Sequence, residues 1–138
     1  MRQITEIIVH STATPKGMQA TAKDIDRWHR QRGFDRIGYH YVIGHNGLIE
    51  NGRQDIEIGA HCKGHNAESI GIAYVGGLNE SKQSADTRTI AQKQAIVILI
   101  KQLLKQYPTI CKISGHRDYC NTACPSFDAR AEYKHLIK

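Results

Sequence analysis

The sequence predicts a single α/β domain with a mixed central β-sheet flanked by helices. Three observations support this prediction. Segments rich in β-branched residues alternate with segments of helical periodicity, a pattern typical of a sheet layered against helices. Two short β-type segments flank His45-Asn46-Gly47, a hairpin-turn sequence that requires one antiparallel strand pair. The chain has 138 residues, of which 40% are hydrophobic, so we expect one core and one domain over residues 1–138.

The first elements are a buried strand and a helix. Residues 5–10 hold three consecutive β-forming residues, which indicates a strand buried on both faces. A loop over residues 11–17 follows. Thr21 then has the position of a helix N-cap with Asp24 three residues later, and the helix is expected to run to about Arg32.

The middle of the chain predicts the hairpin, a long loop and a second buried strand. Residues 38–44 and 48–51 are the two expected strands of the hairpin. Residues 52–67 have little periodicity and predict a surface loop that carries functional groups. Residues 70–75 predict another buried strand, and residues 76–87 a polar connector.

The last third predicts a long helix, a short strand and a C-terminal helix. The long helix is capped by Thr89 and ends at Tyr107, since Pro108 cannot continue it. Residues 112–115 predict a short strand and residues 127–137 a helix.

Composition limits the partners of the chain. The net charge is +6 at pH 7, and residues 71–138 hold ten basic and five acidic residues, so nucleic acid, anionic lipid and an anionic cell wall are all compatible partners. The longest apolar run, residues 95–100, is far shorter than the roughly 20 residues that cross a bilayer. The first residues lack a signal-peptide pattern, so we expect the protein to accumulate in the cytoplasm of the producing cell.

Histidine and cysteine residues form one candidate catalytic metal site. Catalytic zinc needs three protein ligands and an open fourth position. His10 ends one predicted strand, His116 follows another, and Cys124 lies eight residues further on. Adjacent strands would bring these three side chains together.

A structural metal site is an alternative that spacing alone leaves open. Cys111, His116, Cys120 and Cys124 lie within fourteen residues and could enclose a zinc ion in a nucleic-acid-binding module. Their intervals of five, four and four residues lack the usual Cys-x2-Cys pattern.

Nine short motifs, in order over nearly the whole chain, resemble the zinc-dependent N-acetylmuramoyl-L-alanine amidases of type 2. This superfamily includes small phage lysozymes and the animal peptidoglycan recognition proteins, and the sequence is most similar to single-domain phage endolysins. The motifs are IVHSTAT (8–14), WH (28–29), GYHY (38–41), GR (52–53), GAH (59–61), SIGI (69–72), VGG (75–77), GHRD (115–118) and ACPSFD (123–128).

The resemblance implies a largely parallel sheet with a zinc cleft on one face. It places one Zn²⁺ ion on His10, His116 and Cys124. It also implies that the Tyr39 hydroxyl hydrogen-bonds the zinc water or the developing oxyanion, an interaction typically worth about 3 kcal/mol. The expected reaction is hydrolysis of the amide between N-acetylmuramic acid and L-alanine.

Two further catalytic candidates follow from the resemblance. Some phage members carry a lysine two residues before the ligand cysteine, and this sequence has Thr122 there, as do the catalytic recognition proteins that this region resembles. Threonine donates a hydrogen bond without adding a charge, so it should stabilise an oxyanion less than a cation does. By its position in the long loop, His61 is the candidate that protonates the leaving amine, with an ordinary surface histidine as the alternative.

Other residues have weaker assignments. Asp118 and Asp128 could orient the zinc-binding histidines, with helix capping or solvation as the alternative. Asn66 and Arg53 could contact the stem peptide or, alternatively, only shape the loop. The remaining cysteines are expected to be free thiols: Cys62, Cys111 and Cys120.

The sequence therefore predicts a monomeric, single-domain zinc amidase, a phage or prophage endolysin whose partner is peptidoglycan. The basic surface would contact the anionic cell wall, and nucleic acid is not expected as a partner. A non-catalytic peptidoglycan-binding module is the first alternative, although retention of all three ligands argues against it. The nucleic-acid module with structural zinc is the second.

Overall fold

The computed structural model describes residues 2–137, which form seven strands and three α-helices. In chain order they are β1 (Glu6–Ser11), β2 (Thr14–Pro15), α1 (Ala22–Gln31), β3 (Tyr41–Ile43), β4 (Ile49–Asn51), β5 (Ser69–Tyr74), β6 (Gly77–Leu78), α2 (Ile90–Gln106), β7 (Lys112–Gly115) and α3 (Ala129–Tyr133).

The central sheet has five strands in the order β4-β3-β5-β1-β7. Strand β1 pairs in parallel with both β5 and β7, and β3 pairs in parallel with β5. Only β4 is antiparallel, through its hairpin with β3. The predicted mixed, largely parallel sheet flanked by helices is confirmed. Strands β2 and β6 form a separate two-stranded parallel sheet that the sequence analysis did not predict, because two residues are too few to show a strand pattern.

The sheet is covered on both faces. Every residue of β1 and β5 is buried, as expected for central strands between two layers. On one face, Ile7 and Val9 of β1 share a core with Ile96 and Ile100 of α2. Side chains alternate along a strand, so His10 lies on the opposite face, where α1 packs.

The helix boundaries follow from their capping residues. The Thr21 side chain accepts a hydrogen bond from the Asp24 N–H, and the Asp24 carboxylate accepts one from the Thr21 N–H, which confirms the predicted start of α1. Thr89 caps α2 in the same way. The predicted C-terminal helix over residues 127–137 was too long. Asp128 caps α3, which ends at Tyr133, and a tighter 3₁₀ turn follows.

The first strand of the hairpin is also shorter than predicted, because the residues before Tyr41 pair with the long loop instead. The carbonyls of Tyr39 and His40 accept hydrogen bonds from the N–H groups of Arg53 and Gly52. Tyr39 is therefore held between the loop and the sheet, outside the regular strand.

A buried arginine joins the connector before α2 to the C-terminal helix. The Arg88 side chain is only 2% exposed and donates hydrogen bonds to both Asp86 and Glu132, with N···O distances of 2.7–3.0 Å. It also donates to the Tyr133 hydroxyl at 2.7 Å and stacks 3.4 Å from the Phe127 ring centroid. The five N–H groups of the Arg88 guanidinium thus form hydrogen bonds with three side chains.

Replacing Arg88 with Met should lower the free energy of unfolding by about 3 kcal/mol, because Asp86 and Glu132 lose their counterion. Urea denaturation followed by circular dichroism measures this change. The matched control is Arg130→Met. Arg130 is half-exposed and only 3.8 Å from Asp118, so its loss should cost less than about 1 kcal/mol. Equal costs for the two variants would contradict the proposed role of Arg88.

Candidate metal centre and active-site cleft

Strand register brings the predicted metal ligands together. Val9 of β1 pairs with Gly115 of β7, so the next residues, His10 and His116, lie side by side at the carboxyl ends of two parallel strands. Their ring centroids are 4.7 Å apart. Cys124 reaches the same point from the loop after β7, with its Sγ 3.9 Å from His10 Nδ1.

These three residues fit a zinc ion. One ligand atom from each of His10, His116 and Cys124 lies within 4.8 Å of the other two. Two imidazoles and one thiol are donors that zinc prefers, and three of them leave one tetrahedral position open. Burial and the neighbouring histidines hold the pKa of His10 well below its usual value, so its ring is neutral and offers a lone pair. Burial also lowers the pKa of His116.

The Cys124 sulfur is held by the backbone of β1. The Ser11 N–H donates a hydrogen bond to Sγ at 3.1 Å, which favours the thiolate, whereas burial raises the pKa of the thiol. A bound cation would decide this balance in favour of the thiolate.

His61 contacts His10 on the side away from Cys124. The His10 Nε2 and His61 Nδ1 atoms are 2.8 Å apart, and His61 Nε2 lies 3.3 Å from Ser69 Oγ. The Ser69 hydroxyl donates in turn to the His65 carbonyl at 2.7 Å. The contact requires Gly71 in β5, since a Cβ there would lie 2.7 Å from the His61 ring.

This chain of hydrogen bonds has one consistent direction. Burial lowers the pKa of His61 to about 3, so its ring is neutral and carries one proton. The Ser69 hydroxyl donates its own proton to His65, so the Ser69 oxygen accepts the hydrogen bond from His61 Nε2–H. The other nitrogen of His61, Nδ1, then accepts a hydrogen bond from His10 Nε2–H. The tautomer of His10 is then fixed with Nδ1, the atom facing Cys124, unprotonated.

A cleft of about 320 Å³ opens over these residues. Its wall includes Tyr39, whose ring centroid lies 5.2 Å from that of His10. Burial raises the pKa of Tyr39 above its usual value, so its hydroxyl stays protonated and can donate a hydrogen bond. The cationic side chains of Arg32 and Lys63 also line the cleft.

The family of the chain follows from comparison with known proteins. A family profile described as N-acetylmuramoyl-L-alanine amidase matches residues 1–127. The chain belongs to this family. An endolysin of Klebsiella phage KP32 is 36% identical over 129 residues, covering 94% of this chain and 85% of the endolysin. A peptidoglycan-recognition protein of Drosophila melanogaster is 33% identical over 137 residues, and the match covers 93% of this chain and 71% of the recognition protein.

The solved structure of the N-acetylmuramoyl-L-alanine amidase LysC from Clostridium intestinale URNW has the same fold. Its TM-score to this chain is 0.83 at 31% sequence identity, and the match covers 99% of this chain and 88% of that one. The chain is thus an N-acetylmuramoyl-L-alanine amidase, an enzyme that hydrolyses an amide bond of peptidoglycan.

For Asp118 and Asp128 the sequence left two roles open, orientation of the zinc-binding histidines and helix capping. Asp118 accepts a hydrogen bond from the Gly115 N–H at 2.7 Å, and Asp128 accepts one from the Ala131 N–H at 3.1 Å. Both are caps of short helical segments, because backbone N–H groups at helix starts lack partners within the helix. These contacts support the helix-capping alternative for both residues. The hydrogen-bond partner of His10 is instead His61.

The loop residues divide between the cleft and the scaffold. Asn66 lines the cleft, and its side-chain oxygen accepts hydrogen bonds from the N–H groups of His61 and Cys62 at 2.9 Å. Arg53 instead donates to the carbonyls of Ile37 and Ile58, so it holds the loop closed beside the cleft. These contacts support the loop-shaping alternative for both residues.

His29 is a cleft residue that the sequence did not predict. His29 is buried in α1, lines the cleft, and its Nδ1 accepts a hydrogen bond from the Gly38 N–H at 2.9 Å. Its ring lies 5.2 Å from Tyr39. The Trp-His motif at residues 28–29 was the available signal, but it entered only the resemblance to the amidases and gave His29 no role.

Thr122 lies at the exposed side of the ligand loop. Its hydroxyl accepts a hydrogen bond from the Cys124 N–H at 3.3 Å, so it shapes the loop that carries the sulfur ligand. Its predicted contact with an oxyanion stays a prediction.

The alternative structural zinc site does not form among residues 2–137. Cys111 is exposed and its sulfur contacts the Thr5 carbonyl, away from the other cysteines. His116 and Cys120 instead group with Cys62. Among the described residues, none of the four cysteines forms a disulfide. Within the same residues, no helix has the length and apolar character needed to span a membrane.

Proposed function

We propose that this amidase binds one zinc ion through His10, His116 and Cys124 and cleaves the amide between the lactyl group of N-acetylmuramic acid and L-alanine. The convergence of three ligand atoms, two of them on histidines that line an open cleft, supports this proposal most strongly. When bound, zinc acidifies a coordinated water to a pKa of about 7 and polarises the scissile carbonyl.

Tyr39 is the proposed donor to the developing oxyanion. Its hydroxyl is protonated at neutral pH, and its ring borders the ligand His10 at the wall of the cleft, where a donor can meet the substrate. Thr122 is a second, uncharged donor candidate from the loop that carries Cys124.

His61 is proposed to position His10. The hydrogen-bonded chain from His10 through His61 to Ser69 engages both ring nitrogens of His61. The geometry therefore favours a positioning role over the predicted role as proton donor to the leaving amine.

Replacing His61 with Ala should weaken zinc binding about 10–100-fold, because His10 loses the partner that fixes its tautomer. His61→Asn should restore part of this affinity, since its side-chain oxygen can accept from His10 Nε2. Competition with a chromophoric chelator measures both. Unchanged zinc affinity in His61→Ala would leave His61 without this role.

The relative from Klebsiella phage KP32 is an endolysin, and we propose the bacterial cell wall as the place of action of this chain. The basic residues in the second half of the chain would attract the anionic wall, except Arg88, which is paired with acidic residues inside the protein. We propose that the protein acts as a monomer and has no nucleic-acid partner.

Lysis of intact cell walls should fall as ionic strength rises from 0.02 to about 0.3 M, since salt screens surface charge. Turbidity of a wall suspension measures lysis. A short, soluble muramyl peptide serves as control and should show a flatter response. If hydrolysis of the two substrates depended on salt in the same way, the basic surface would have no role in binding the cell wall.

Product analysis tests the proposed reaction. Purified peptidoglycan is incubated with the zinc-loaded protein, with the chelator-treated protein, and with the treated protein after zinc is restored. Mass spectrometry should find stem peptides that begin at L-alanine in the first and third samples only. Release of disaccharides or of shorter peptides would show cleavage of a different bond.

A further inference from the structure

A second group of ligand atoms lies beside the first. The sulfur atoms of Cys62 and Cys120 and one ring nitrogen of His116 all lie within 4.8 Å of one another. Cys62 is 1% exposed, whereas Cys120 and His116 are partly exposed. The proposed reaction uses neither Cys62 nor Cys120.

Backbone hydrogen bonds fix both cysteines. The Cys62 N–H donates to the Asn66 side-chain oxygen at 2.9 Å, in the loop that also carries His61. The Cys120 N–H donates to the His116 carbonyl at 3.1 Å, so Cys120 lies one helical turn after the histidine that it accompanies. The three donors therefore meet without a rearrangement of either segment.

The imidazole of His116 remains available. His10 uses Nε2 in its contact with His61, but the ring of His116 makes no hydrogen bond to another group among residues 2–137. Either of its nitrogens can therefore serve a cation, one at a time.

We propose that Cys62, Cys120 and His116 form a second metal site that selects a soft divalent cation. Two thiolates and one imidazole are the donors that soft and borderline ions such as Cd²⁺ and Zn²⁺ prefer, and hard ions such as Mg²⁺ or Ca²⁺ take oxygen ligands instead. Binding releases the two thiol protons to solvent as two metal–sulfur bonds form.

The site is coupled to the proposed catalytic centre through His116. A neutral imidazole offers one lone pair at a time, so a cation on His116 makes the ring a poorer ligand for a second ion. Occupancy of the Cys62–Cys120 site therefore weakens zinc binding at His10, His116 and Cys124. This consequence, unlike the site itself, rests on the proposed function.

Cadmium binding to the full chain tests the site. In a Cys124→Ala background, which removes the first ligand set, Cd²⁺ should still produce a thiolate-to-cadmium absorption band under a phosphine reductant. Adding Cys120→Ala should halve the band and weaken binding at least about tenfold. Adding Cys111→Ala, at an exposed cysteine outside both groups, should change neither. Absence of the band in Cys124→Ala, or equal losses in the two double variants, overturns the proposal.

Thiol alkylation tests the same site without substitutions. Iodoacetamide labelling of the wild-type chain, followed by peptide mass spectrometry, should show Cys120 protected at least tenfold by excess Cd²⁺ and Cys111 labelled equally with and without it. Equal labelling of Cys120 in both conditions overturns the site. Both tests detect metal and sulfur, so they can fail while the amidase reaction holds, or succeed while it fails.

Discussion

Replacing Cys124 with Ala should lower the rate of peptidoglycan hydrolysis at least about a thousandfold. The variant loses the only anionic ligand of the proposed zinc site and leaves His10 and His116 as two neutral donors. Zinc supplies several kcal/mol of transition-state stabilisation in this chemistry, and about 4 kcal/mol corresponds to about a thousandfold in rate. Product release from purified walls measures the rate, and bound zinc is measured on the same sample.

Cys111→Ala is the matched control for this variant. Cys111 is also a free thiol, but it is exposed and lies outside both ligand groups. It should keep wild-type zinc content and rate. If Cys124→Ala kept both as well, Cys124 would not be a ligand, and the proposed site would be wrong.

Replacing Tyr39 with Phe should lower kcat about 10²–10³-fold with zinc content and fold unchanged. Only the hydroxyl is removed, so the ring still packs beside His10 and His29. Loss of one aligned oxyanion donor typically costs about 3–4 kcal/mol of transition-state stabilisation. Because the donor acts mainly in the transition state, KM should change little.

Tyr41→Phe is the control for Tyr39→Phe. The Tyr41 hydroxyl donates to Asp55 at 2.7 Å, away from the metal ligands that border Tyr39. Its loss should reduce stability and leave kcat within about threefold of wild type. A Tyr39→Phe enzyme with full kcat would exclude the tyrosine as an oxyanion donor and would leave Thr122 as the next residue to examine.

Sequence patterns predicted the strands and loops that carry the site, but not the register in which the strands pair. The sequence predicted that His10 and His116 lie at the ends of two strands and that Cys124 lies in a loop. What makes them neighbours is the pairing of Val9 with Gly115, a long-range contact that no local pattern specifies. The nine motifs supplied that information through the resemblance to the amidases.

Contacts made by loops were the least predictable. Asp118 and Asp128 were plausible partners for the zinc-binding histidines. Both instead accept hydrogen bonds from backbone N–H groups at helix starts, because these unsatisfied donors lie only three residues away. The partner of His10 is His61, whose approach depends on the missing side chain at Gly71. The grouping of Cys62 with Cys120 likewise depends on two loops that meet only in the folded chain.

The central claim is that one zinc ion lies between β1 and the loop after β7. A crystal of the protein loaded with one equivalent of zinc, measured at the zinc absorption edge, tests it most directly. We expect one anomalous peak within bonding distance of His10 Nδ1, a ring nitrogen of His116 and Cys124 Sγ. A peak bonded to Cys62 and Cys120 alone, with none beside His10 and Cys124, would contradict it.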